Sequence, residues 1–104
     1  MSITSIMENR HRERGFRESG AWRVAWVVDN EGSALMDDVF QLWHYTTCML
    51  EWHESEMGTT LMHTDTGRGS VSDQNGVNKA LNVLGVPMRY RRDQRGGGAR
   101  ITTR

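Results

Sequence analysis

At 104 residues, with thirteen basic and thirteen acidic side chains and no net charge, the chain suits one domain that buries roughly 65% of its unfolded surface. Its single cysteine excludes an intramolecular disulfide and a cysteine-rich zinc site. The N-terminus has no apolar segment of signal-peptide type, and no stretch approaches the roughly 20 apolar residues of a membrane span, so a soluble protein of the cytoplasm is expected.

Residues 1–20 read as an arm of mixed charge. Ser5–Ile6–Met7–Glu8 has the spacing of a capping box, which allows a short helix. The neighbouring run Arg10–His11–Arg12–Glu13–Arg14 offers little apolar surface to dock it, so a mobile N-terminal arm is the reading adopted. Residues 21–104 are then a single small domain.

In Ala21–Val28, Trp22, Val24, Trp26 and Val28 alternate as on a half-buried strand, and Asp29–Asn30–Glu31–Gly32 supplies turn chemistry. Over 39–52 the β-branched and aromatic residues favour strand. Val39, Leu42, Trp43, Thr46, Met49 and Leu50 also fit a helical face, with Asp37 and Asp38 at its start. A single strand of that length would be unusual, so two strands are predicted, at 39–45 and 48–53, bent near Thr46 and Thr47. A third short strand follows at Thr59–His63.

Ser70–Gly85 is the clearest helix. Ser70 with Asp73, or Ser72 itself, caps it, and Gly85 and Pro87 end it. Val77, Ala80, Leu81 and Leu84 share one side, while Asn75, Asn78, Lys79 and Asn82 share the other. Gly76 lies on a flank, where it permits close backbone packing. Met88–Arg92 and Ala99–Thr103 alternate around Gly96–Gly97–Gly98 and predict a basic hairpin. The expected fold class is α+β: a small antiparallel sheet packed by one main helix near 72–85, with a C-terminal β-hairpin. Four Trp and seven Met supply core volume in a chain poor in aliphatic residues.

The charges are sorted along the chain. Residues 1–23 carry five Arg and three Glu, residues 24–67 carry eight acids and no Lys or Arg, and residues 68–104 carry eight bases against Asp73 and Asp93. Such asymmetry predicts docking on a partner or on a second copy of the chain. Asp37, Asp38, Glu51, Glu54 and Glu56 would form the acidic surface, facing a basic partner or imitating a nucleic-acid backbone. A homodimer would set this acidic middle on the basic tail of the other chain.

The main helix followed by a basic hairpin resembles the second half of a winged-helix domain, over about residues 70–103. That resemblance implies DNA binding. Asn75, Asn78, Lys79 and Asn82 would reach base edges, and Arg89, Arg91, Arg92, Arg95 and Arg100 would reach phosphates. The first half departs from that family, with strands where two helices are expected.

His44, His53 and His63 lie in the acidic segment near Cys48, Glu51, Glu54 and Asp65, but their spacing forces no metal site. Surrounding carboxylates would raise their pKa values and weaken the acidic face as pH falls. Trp22, Trp26, Trp43, Tyr45, Trp52 and Tyr90 could stack single-stranded bases, although a chain with few aliphatic residues needs them for its core. Phosphate-binding loops, zinc-protease motifs and nucleophile elbows are missing, so neither an enzyme nor a cofactor is expected.

Gly69–Ser70–Val71–Ser72–Asp73–Gln74–Asn75–Gly76–Val77–Asn78, Gly97–Gly98–Ala99–Arg100–Ile101 and Leu42–Trp43–His44–Tyr45 together resemble small uncharacterised proteins of actinobacterial bacteriophages, over about residues 40–101. The resemblance implies a non-catalytic phage accessory protein that binds and modulates a host protein in the bacterial cytoplasm. It agrees with the excess of Arg over Lys, twelve to one, expected of a GC-rich host.

Overall fold

The alternation at Trp22–Val28 belongs to a meander. The computed structural model describes residues 2–12, 15–28, 37–92 and 98–103. In it, β1 (Gly15–Ser19), β2 (Trp22–Val28), β3 (Asp38–His44), β4 (Thr47–Ser55) and β5 (Gly58–Thr64) pair in sequence order as one antiparallel sheet. Helix α1 (Ile3–Glu8) precedes the sheet, and helix α2 (Val71–Leu84) follows it. A separate antiparallel pair, β6 (Met88–Arg92) and β7 (Ala99–Thr103), closes the chain. The fold is α+β, with the expected sheet, main helix and C-terminal hairpin. The turn predicted at Asp29–Gly32, Arg95 and all of the glycine tip except Gly98 lie outside the described residues.

Strand register sorts the side chains. Trp22 pairs with His44, Val24 with Leu42 and Trp26 with Phe40, and Phe40 and Leu42 pair in turn with Trp52 and Leu50. Alternation therefore puts these residues on one face. The helices cover that face with Ile6 and Met7 from α1 and Val77, Ala80 and Leu81 from α2, all fully buried. A register shift after Leu42 leaves Met49 unpaired, so the consecutive Met49 and Leu50 both reach the core. Each such side chain contributes about 1.5–3 kcal/mol through apolar burial.

Residues 2–12 differ from the arm expected there. Ser2, not Ser5, caps α1: its Oγ accepts the Ser5 N–H at 3.1 Å. Ile3, Ile6 and Met7 recur at helical spacing, and Ile6 and Met7 pack into the core where α1 meets α2, β1 and β2. A helix this short is not stable by itself; its docking holds it. Arg10 helps, gripping Glu54 of β4 through Nε at 2.8 Å and Nη2 at 2.9 Å. The Trp52 indole N–H donates to the same carboxylate at 2.9 Å. His11 Nε2 stands 3.2 Å from its other oxygen, and the imidazole stacks on Phe40. The sequence reading underestimated this segment because the charged run hides a shared carboxylate 44 residues away.

Ser70 and Asp73 form the capping box at the start of α2, and Gly85, with φ 69°, ends it in the left-handed conformation. Gly76 lies against the indole of Trp22. A Cβ there would meet Trp22 Cζ2 at 2.0 Å, so glycine is what allows helix and sheet to approach this closely.

Candidate functional site

The basic hairpin brings its arginines together. Tyr90 is buried and Ile101 half-buried on the inner side, whereas Arg89, Arg91 and Arg100 are exposed on the other. Arg91 stands directly opposite Arg100 in the register. Like charges so placed destabilise a strand pair, and among the described residues no ion pair involves Arg89, Arg91 or Arg100. Arg92 differs, since its Nε donates to the Gly69 carbonyl at 2.7 Å and so ties the hairpin to the loop before α2.

The polar side of α2 is only partly open. Asn75, Lys79 and Asn82 are exposed, but Asn78 belongs to the fold. Its amide N–H donates to the Tyr90 carbonyl at 3.1 Å, and its carbonyl accepts the Tyr90 N–H at 2.8 Å. Gln74, one turn earlier, accepts the Arg92 N–H at 3.2 Å. Two helix amides thus satisfy the edge of β6 that faces away from β7, in place of a neighbouring strand. This corrects the reading of Asn78 as a base-contacting residue. The five-stranded sheet ahead of α2 also stands where a winged-helix domain has helices.

The predicted acidic residues do not form one face. Glu54 lies beside α1, bound to Arg10, Trp52 and His11. Burial raises its pKa, but the hydrogen bonds from Arg10 and Trp52 and the Arg10 charge outweigh it and hold the carboxyl below its usual range. Glu51 accepts from Gln41 at 3.2 Å and pairs in register with His63 on the opposite face of the sheet. Asp37 Oδ2 stands 3.6 Å from His53 Nδ1, Asp38 pairs in register with Glu54, and Glu56 is exposed in the β4–β5 turn. Burial also separates the aromatic residues. Trp22, Trp52 and Tyr90 are core, and Trp26 packs against it. Trp43 lies under the Arg23 guanidinium, 5.4 Å from its ring centre, and Tyr45 is exposed.

The histidines are dispersed, and among the described residues no three His, Cys, Asp or Glu side chains are placed to hold a metal ion. Cys48 is half-buried, and burial, Glu51 and Asp65 push its thiol pKa up. His44 has a setting that sequence reasoning missed. It ends β3 and is buried, with its ring stacked on Trp22 at 4.0 Å and 5°. Nδ1 lies 2.6 Å from Asp73 Oδ1, and Nε2 lies 3.5 Å from Ser72 Oγ. Asp73 Oδ2 accepts the N–H groups of Arg68 and Ser70, each at 3.1 Å. Burial works to raise the Asp73 pKa, but the bonds from His44, Ser70 and Arg68 prevail and lower it. These groups border a cavity of about 410 Å³ reached past Tyr45, whose φ of 53° is left-handed. The only sequence signal was the helix cap Ser70–Asp73; its meeting with His44 depends on the turn between β3 and β4.

In comparisons with family models, curated proteins and solved structures, nothing matches this chain, so its functional reading rests on its own chemistry.

Proposed function

We propose that this protein binds a polyanion, the phosphate backbone of nucleic acid, through the outer face of its C-terminal hairpin. The observation that carries this reading is the convergence of Arg89, Arg91 and Arg100 on one exposed face without an ion-pair partner among the described residues. Arg91 opposite Arg100 weakens the hairpin by a few tenths of a kcal/mol or more, so the fold does not need this arrangement, whereas a row of phosphates does. Arg supplies a planar fork for each phosphate. Exposed Lys79 on α2 adds charge. The acidic-surface reading loses support because Glu54 is bound internally while Glu51 lies on the other side of the sheet.

Fluorescence anisotropy with short labelled DNA, titrated with salt, tests this. Binding should weaken linearly in log affinity against log salt. The Arg91→Gln/Arg100→Gln double variant should lower that slope by about 2, because each arginine neutralises about one phosphate. Failure to bind at low salt would retire the nucleic-acid reading. It would leave an acidic protein surface as the occupant of the same arginine face.

A further inference from the structure

We propose that Ser72, His44 and Asp73 form a nucleophilic site that hydrolyses small carboxylic esters in the cavity at the start of α2. The geometry supplies the needed chain of contacts: Ser72 Oγ 3.5 Å from His44 Nε2, and His44 Nδ1 2.6 Å from Asp73 Oδ1. This is the nucleophile, base and orienting carboxylate of covalent acyl transfer. Hydrogen bonds to a base lengthen in the absence of substrate and tighten in the complex.

Each member is held for its role. Asp73 is fixed by the N–H groups of Arg68 and Ser70 on Oδ2, which leaves Oδ1 to accept from the imidazole. A carboxylate there places the ring proton on Nδ1, so the lone pair of Nε2 faces Ser72. The Trp22 indole, parallel to the ring, fixes its plane. Ser72 itself is exposed toward the cavity. The N–H groups of Val71 and Ser72, in the unpaired first turn of α2, donate to no other group among the described residues. They are the donors available to a developing oxyanion.

Helix capping alone does not account for this arrangement. Ser70 and Asp73 complete the capping box between themselves. A buried strand end stacked on Trp22 would accept an apolar residue without the desolvation cost of imidazole. The left-handed backbone of Tyr45 at the cavity lip, uncommon for a side chain of that size, is strain of the kind that clusters at working sites.

In the reaction, Ser72 Oγ bonds to the acyl carbon and its proton passes to His44 Nε2. The bond to the alcohol oxygen breaks, and the alcohol leaves with that proton. Water then attacks the acyl-serine and gives a proton to His44; the acid departs and Ser72 regains its hydrogen. One water is consumed per ester, and nothing is oxidised or reduced. The groups facing His44 are Asp73 and Ser72 from α2, Trp22 from β2, Tyr45 next in the chain and Arg68 from the cavity wall.

A fluorophosphonate probe tests the site, since it forms an Oγ–P bond with loss of fluoride only at an activated serine. Intact protein should gain one adduct, mapped to Ser72 by peptide mass spectrometry. The labelling rate should fall at least about tenfold in a folded His44→Gln variant, which supplies no base to the hydroxyl. The exposed Ser72→Ala variant, shown by circular dichroism to be folded, should remain unlabelled. Folded wild-type protein without an adduct at Ser72, or a folded His44→Gln protein labelled as fast as wild type, would overturn the proposal.

Discussion

Substituting Gly76 by alanine sets two effects of opposite sign against each other. In an exposed helix Ala is favoured over Gly by about 1 kcal/mol. Here the new methyl would lie 2.0 Å from Trp22 Cζ2, where ordinary contact begins at 3.4 Å, so indole or helix must move by over an ångström. Trp22 is only 6% exposed and its ring is stacked on His44, so the indole has little room to yield. Overpacking of this kind costs about 1–3 kcal/mol or more, and the severity of the overlap puts it at the upper end. Gly76→Ala should therefore lose about 2 kcal/mol net, which lowers Tm by roughly 10 °C in a domain of this size. Urea unfolding followed by tryptophan fluorescence and by far-ultraviolet circular dichroism measures the loss. In a Trp22→Leu background the clash is gone and the same substitution should stabilise by up to about 1 kcal/mol. A Gly76→Ala protein as stable as wild type, or more so, would refute the close approach of α2 to β2.

Glu54→Gln removes the anion shared by Arg10, Trp52 and His11; the Arg10 and Glu54 side chains are 15% and 14% exposed. The cost should be about 2 kcal/mol, between that of an exposed and a fully buried pair, with α1 the first element released, as hydrogen exchange would report. Glu54 and Asp73 both have folded pKa values below their unfolded ones. Their stabilisation is thus complete above the unfolded values and is lost as pH falls below about 4. Acid titration should show Glu54→Gln less sensitive to pH in that range than wild type. Asn78→Ala strips two hydrogen bonds from the Tyr90 backbone and should cost about 2 kcal/mol in chemical unfolding. Asn78→Asp, keeping the acceptor but not the donor, should fall between.

Much of this fold was legible because local signals agreed with the final packing. Val77, Ala80 and Leu81 lie on the predicted buried face of α2, and the strands around the Tyr45–Thr46 turn follow the predicted break. The hairpin bounds Met88–Arg92 and Ala99–Thr103 were readable from alternation. What could not be read were partnerships between distant residues. Arg10 looked like part of a solvated charge run until Glu54 met it, and Asn78 looked like a surface amide until β6 lay beside it. Sorting the charges by sequence suggested an acidic face, yet strand pairing sends alternate residues of β4 to opposite sides, which divides Glu51 from Glu54. The His44–Asp73 contact spans 29 residues and leaves no periodic trace in either segment.

One carboxylate joins three parts of the molecule that would otherwise open independently. Asp73 holds the loop through the Arg68 and Ser70 amides, closes the first turn of α2 with Ser70, and anchors the end of β3 through His44. The loop cannot lift while the helix end stays wound, nor can the imidazole swing out alone. The amide hydrogens of Arg68, Ser70 and Asp73 should therefore exchange with solvent at a common free energy of opening, as one cooperative unit.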